Sequence, residues 1–178
     1  QEMISQKLND EEIFNVINQL KNKNGNKYDI NLIRSEFQKP IKITKGKWNS
    51  SSFLKNREIL LVASGEELKR NKKTVEKYIE EKKPIVIALK TIVPIKKKLI
   101  NYYIACNPLR IMNEIKNYSN LKKPLIFPKT LITKNIKPKL SRIKILDYGI
   151  GLKGNEFKFY SNSAYLPKIY NISYALAV

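Results

Sequence analysis

Ser64, Gly65, Asn107, Asp147 and Asn162 are the residues whose types and settings could do chemistry. Each follows or flanks an apolar run that reads as a strand. In a parallel sheet such turns share one edge, and ligands bind there at a topological switch point. Ser64-Gly65-Glu66-Glu67 could cradle a phosphate with bare backbone N–H groups at a helix start. It also reads as a capping box, with the Ser64 hydroxyl on the Glu67 N–H and the Glu67 carboxylate reaching back. Each glutamate would repel a phosphate by roughly 1 kcal/mol or more at close range, which favours the cap. Asn107 can both donate to and accept from a sugar or base, or can cap the helix that Pro108 opens. Asp147 suits ribose binding or proton transfer, and equally a turn before a glycine-rich loop. Tyr160-Ser161-Asn162-Ser163 is a polar cluster ahead of a last helix. It could serve as a cap or as a ligand site.

The chain has no histidine and one cysteine. The commonest general base and the commonest metal ligand are therefore missing from this segment. A Ser-His-Asp triad, a Cys-His pair, a Cys/His zinc site and an internal disulfide are excluded within it. Cys106 lies in Tyr102-Tyr103-Ile104-Ala105-Cys106, which reads as a buried strand. Any proton transfer here would fall to Tyr or Asp.

The elements that must position these residues are legible in outline. Ile59-Leu60-Leu61-Val62, a Lys- and Glu-rich helical run, and Ile85-Val86-Ile87-Ala88 make a βαβ unit, which implies a parallel sheet. Leu68, Val75 and Ile79 mark the buried face of its helix. Leu99 to Cys106, Lys123 to Phe127 and Ile143 to Tyr148 predict three more strands. Ile111, Met112 and Ile115 mark a helix between two of them. Gly149 to Gly154 holds three of the six glycines and reads as a flexible loop. Phe157 to Tyr160 is short and extended, and a last helix is expected from Pro167 onward. Toward the N-terminus, Asn9 to Leu20 and Asp29 to Phe37 predict helices. Lys45 to Ser52 reads as a polar linker, with Trp48 docking on a neighbouring surface.

The net charge is +20 over 178 residues. Such a balance suits a nucleic-acid or anionic-membrane surface. The lysines are spread along the whole chain and arginine is scarce beside them, which instead suggests the Lys-, Asn- and Ile-rich usage of an AT-rich genome. Weak, non-specific nucleic-acid binding is the expectation. No apolar run approaches the ~20 residues of a membrane span.

Two parts of the sequence resemble a known family. Glu2-Met3-Ile4, Asn9-Asp10-Glu11-Glu12-Ile13-Phe14 and Lys27-Tyr28-Asp29 resemble the segment after the barrel of two-domain aldolase-type proteins. These are the 4-hydroxy-2-oxovalerate aldolase and hydroxymethylglutaryl-CoA lyase-like family. Ile59 to Lys90, Ala105-Cys106-Asn107 and Asn162-Ser163 resemble their C-terminal domain, similar in outline to sialyltransferase-like Rossmann folds. Relatives of that outline carry a Gly-Pro-Ser turn where this chain has Ala63-Ser64-Gly65-Glu66-Glu67. The resemblance implies that Asn107 and Asn162 lie near a nucleotide or sugar. It also implies a metal-dependent aldolase barrel upstream of this segment, with no counterpart here of the family's histidine base.

The expected fold is a Rossmann-like α/β domain with an open, mostly parallel sheet flanked by helices and preceded by a helical segment. Residues 1–40 would follow the barrel, 41–54 would link, and 55–178 would form the α/β domain, truncated at its C-terminus. The expected role is an accessory domain of an aldolase-type lyase, with no cofactor in this segment. Its partners would be the upstream barrel and a nucleotide or sugar ligand, without specific nucleic acid or a membrane span. The expected setting is cytoplasmic, and the alternative role is a nucleotide-sugar-dependent glycosyltransferase-like domain.

Overall fold

Ile59 to Val62 and Ile85 to Ala88 are short, apolar and followed by turns, and they pair as parallel neighbours. A computed structural model describes residues 45–105, 111–112, 114–132, 134, 136–152, 158–160 and 163–166, with the backbone alone for 150–152, 158–160 and 163–166. It contains β1 (Ile59–Val62), β2 (Ile85–Ala88), β3 (Tyr102–Ile104), β4 (Leu125–Ile126) and β5 (Ile145–Leu146) in one sheet. The sheet order is β1-β2-β3-β4-β5 and every pairing is parallel. This is an open, Rossmann-like α/β sheet. The expected helices over residues 9–37, and the one from Pro167, lie outside the described residues.

The strand order has a consequence for the layers. Parallel crossovers are right-handed, so a monotonic order sends every connection over the same face. The side chains agree. Val62, Val86, Ala88, Tyr103, Leu125 and Phe127 point to one face, where Ile79, Ile100, Ile111, Tyr118, Leu140 and Ile143 from the connections cover them. Alternate residues Ile85, Ile87, Ile104 and Ile126 point the other way. That second face is covered by Trp48, Phe53 and Leu54. The last two belong to α1 (Ser51–Leu54). The stretch expected as a linker thus contributes part of the core. Its tryptophan lies 6.3 Å from the rings of both Phe53 and Tyr148.

The first crossover is two helices, α2 (Glu66–Arg70) and α3 (Lys72–Lys82), which meet at Asn71. Lys83 ends α3 in the left-handed region, φ 53, with its N–H bonded to Ile79 O at 3.0 Å. This is the position that glycine usually fills, because a Cβ there is penalised. Lys83→Gly is therefore expected to stabilise the domain by about 0.5–1 kcal/mol. A urea midpoint that fails to rise would contradict this.

Glu76 is a buried acid on α3, 6 % exposed. It accepts the Lys96 N–H at 2.9 Å and pairs with the Lys96 ammonium at 3.3 Å. Burial pushes its pKa up, but the Lys96 N–H, the Lys96 ammonium and the Lys72 charge outweigh this, and the net shift is below the ordinary 4.5. The folded state therefore binds this proton less readily than the unfolded chain. The resulting stability is present above pH 4.5 and is lost as pH falls through the folded value. Glu76→Gln should be less stable than the parent at pH 7, and the two should converge at low pH. Parallel pH–stability curves would refute that role.

Past β5 the chain forms a second sheet. β6 (Gly149–Leu152), β7 (Lys158–Tyr160) and β8 (Ser163–Leu166) lie in the order β6-β8-β7. β6 runs parallel to β8, and β7 antiparallel to it. The expectation of a flexible loop over Gly149 to Gly154 is thus corrected for its first half. Residues 149–152 are held extended by pairing with 163–166, which local glycine content could not reveal. Ser163, from the polar cluster Tyr160 to Ser163, opens β8.

Candidate functional site

The end of each parallel strand delivers a turn to the same edge of the sheet. In spatial order these turns begin at Ala63, Leu89, Ala105, Phe127 and Asp147. Ser64, Gly65 and Asp147 therefore share one edge. Asn107 and Asn162 lie outside the described residues. The order contains no reversal, so the described sheet has no switch-point crevice, which corrects the expectation of one. β1 and β5 are also four strand steps apart, about 19 Å at ~4.8 Å per step. One phosphate or one sugar cannot touch both Ser64 and Asp147.

At the first turn the expected capping box does not form. Gly65 is the N-cap of α2, with φ −69 and ψ 157, and no side chain caps the helix. Glu67 therefore stands one residue too early to reach back as a capping box requires. It turns instead to Arg70 at 3.1 Å, while Glu66 pairs with Lys69. These pairs are exposed and contribute little to stability. Gly65 has an ordinary extended φ, and a Cβ built there would meet nothing within 4 Å. Neither conformation nor packing demands glycine at this position.

At the far end of the edge, Asp147 ties three segments together. Its Oδ1 accepts the Lys129 N–H at 2.8 Å. Its carbonyl accepts the Trp48 N–H at 3.0 Å. Tyr148, next in sequence, packs its ring edge-on against Trp48. The carboxylate is thus committed to holding the 3-10 turn Lys129–Leu131 against the exit of β5. Asp147→Ala should cost about 0.5–1.5 kcal/mol, because a charged acceptor is removed from the Lys129 N–H at an exposed position. Asp147→Asn, which keeps an oxygen there, should recover most of it. Equal losses in both variants, by chemical denaturation, would show that the hydrogen bond is not the reason.

The tyrosines near the sheet are poor bases. Burial pushes the Tyr148 and Tyr103 phenols above their usual 10.0. It does the same at Tyr102, against a smaller opposing effect from Arg57. A phenol shifted upward stays protonated near neutral pH and is further from general-base use.

The middle of the edge carries groups that the sequence reading overlooked. Lys90 and Thr91 follow β2, and Lys129 and Thr130 follow β4. β3 lies between them, so Lys90 and Lys129 flank its end across two strand steps, about 10 Å. Both lysines are exposed. Thr91 is only 5 % exposed, and its hydroxyl donates to Glu114 Oε2 at 2.8 Å. Glu114 immediately precedes α4 (Ile115–Ser119), so this bond closes the β2 turn onto the element after β3. The available signal was the Lys-Thr pair that recurs after two strands. The Thr91–Glu114 bond had none, since 23 residues separate its partners.

Two exposed lysines thus flank the end of β3 on a fixed backbone frame. Among the described residues no group of three or more His, Cys, Asp or Glu is placed to hold a metal ion. No family model, curated protein or solved structure matches the chain.

Proposed function

We propose that this chain is an accessory α/β domain that binds a small anionic ligand, a nucleotide or sugar phosphate, at the C-terminal edge of its parallel sheet. It serves an aldolase-type protein and does not itself perform carbon–carbon cleavage. The supporting observation is the state of the Asp147 carboxylate. The best-placed acid of the edge holds the Lys129 N–H at 2.8 Å, so it supports the frame. The charged groups left to face a ligand at the centre are Lys90 and Lys129, whose compact ammonium groups suit an anionic partner. The link to an aldolase rests on the resemblance at Glu2 to Asp29 and at Ile59 to Lys90.

Calorimetric titration with nucleoside monophosphates, nucleoside diphosphates and sugar nucleotides tests the binding. The expected result is saturable binding that Lys90→Ala/Lys129→Ala weakens about 10- to 100-fold, the range of one or two charge-assisted contacts. Gly65→Ala should leave it unchanged. Loss of binding in Gly65→Ala alone would move the site to the β1 turn. Release of free nucleotide from a sugar nucleotide would favour the glycosyltransferase-like role. Cleavage of a 4-hydroxy-2-oxo acid by the 178-residue chain would overturn the accessory role.

A further inference from the structure

We propose that the opposite edge of the sheet, where the strands enter, is a docking surface for an anionic lipid bilayer. All five strands are parallel, so their entry segments share one edge. Those segments are basic. Lys82 and Lys83 lead into β2, Lys122 and Lys123 into β4, and Arg142 and Lys144 into β5, all of them exposed. Before β3 the 3-10 turn Lys97–Leu99 supplies two more exposed lysines.

Register sets how level these charges are. Ile59 pairs with Ile85, Ile87 with Tyr102, Tyr103 with Leu125, and Leu125 with Ile145. These pairs set the entry residues of neighbouring strands within a few residues of one another along the sheet, and four strand steps are about 19 Å. The cations lie in the turns that lead into those entries, so they line one edge as a strip.

Among the described residues none of these cations has an ion pair. Glu66, Glu67, Glu76, Glu80 and Glu81 lie on α2 and α3, where they pair with Lys69, Arg70, Lys72, Lys77 and Lys96. None of these partners belongs to the strip. Glu58, the acid at the entry of β1, accepts the Tyr78 hydroxyl. Among the described residues, acids thus balance the cations of α2 and α3, while the entry edge keeps an excess of positive charge over the single carboxylate of Glu58.

The chemistry of the strip favours headgroups over nucleic acid. Single-strand binders combine a basic groove with stacking aromatics. Here the nearest exposed aromatic, Tyr78, is tied to Glu58. Lysines outnumber arginines, and their compact charges suit a plane of phosphates better than base edges. Ile59, 39 % exposed at the same edge, adds apolar contact. Among the described residues no helix is long and apolar enough to cross a membrane, and the proposed contact is peripheral.

Co-sedimentation of the full chain with phosphatidylcholine vesicles, with and without phosphatidylserine, tests the proposal. Binding is expected only with phosphatidylserine and should fall with salt. Each lysine near a charged bilayer contributes roughly a five-fold factor. Lys98→Ser/Lys122→Ser/Lys123→Ser should therefore bind about 100-fold more weakly. Lys47→Ser/Lys73→Ser/Lys134→Ser, which removes the same charge elsewhere from exposed positions, should change binding less than about five-fold. If the first triple variant unfolds early, Lys98→Ser alone should still show roughly the single five-fold loss. Equal losses in both triple variants, or no binding at all, would overturn the proposal. So would an oligonucleotide that displaces the protein from the vesicles at matched phosphate concentration, because the strip would then belong to nucleic acid.

Discussion

Phe127→Ala should remove about 3–5 kcal/mol of stability, the range for an aromatic deleted from a packed core. The side chain is 0 % exposed and belongs to the cluster on the crossover face of the sheet. It faces that layer from the end of β4, in the same cluster as Tyr118, Ile136 and Leu140. Domains are usually stable by only about 5–15 kcal/mol, so a loss of this size brings the variant close to unfolding. Phe127→Leu, which keeps much of the volume, should lose under about 1.5 kcal/mol. The Phe127 N–H also bonds Leu146 O at 3.0 Å, two residues before the Lys129 turn. Ligand affinity at the C-terminal edge should therefore weaken in Phe127→Ala before global unfolding. Urea unfolding and ligand titration on one preparation measure both effects. A midpoint shift no larger than that of Phe127→Leu would refute the packing argument.

Trp48→Ala should cost about 2–3 kcal/mol, somewhat less than for a fully buried ring because Trp48 is half-buried. The variant uncovers the Ile85, Ile87, Ile104 and Ile126 face, which the crossovers cannot reach. It should therefore bind a hydrophobic dye, and Trp48→Phe should bind much less of it. Trp48 is the sole tryptophan, so its emission reports directly on this contact. The parent should emit at short wavelength and shift to the red on unfolding. A Trp48→Ala protein with an unchanged midpoint and no dye binding would mean that residues 45–54 are a spacer after all.

These results bear on which parts of the protein local patterns could disclose. The βαβ unit was legible because β1 and β2 are continuous apolar runs around an amphipathic helical stretch, and burial on both faces demands that pattern. β4 and β5 were legible from Leu125-Ile126 and Ile145-Leu146, although the paired parts are shorter than the apolar runs. The turn at Ser64 to Glu67 was placed at the right edge and misread in detail. A capping box depends on a one-residue offset, and composition does not set that offset. Glycine content at 149–152 suggested mobility, while pairing with residues 163–166 imposes a strand.

By itself the sequence determined the class of this protein. Alternation of strands and helices required a parallel α/β sheet, and the lack of histidine removed the usual nucleophile–base pairs. The tertiary structure decided the rest. The monotonic strand order leaves the described sheet without a switch point and places Ser64 and Asp147 at its opposite ends. It also fixed the surface on which Trp48 docks, the sheet face of Ile85, Ile87, Ile104 and Ile126, and committed Asp147 to the Lys129 N–H. Seven of the dispersed lysines came together at the strand-entry edge. The physical reason is common to all of these. Hydrophobic periodicity specifies which residues must be buried, but only strand order and register specify which distant residues then meet.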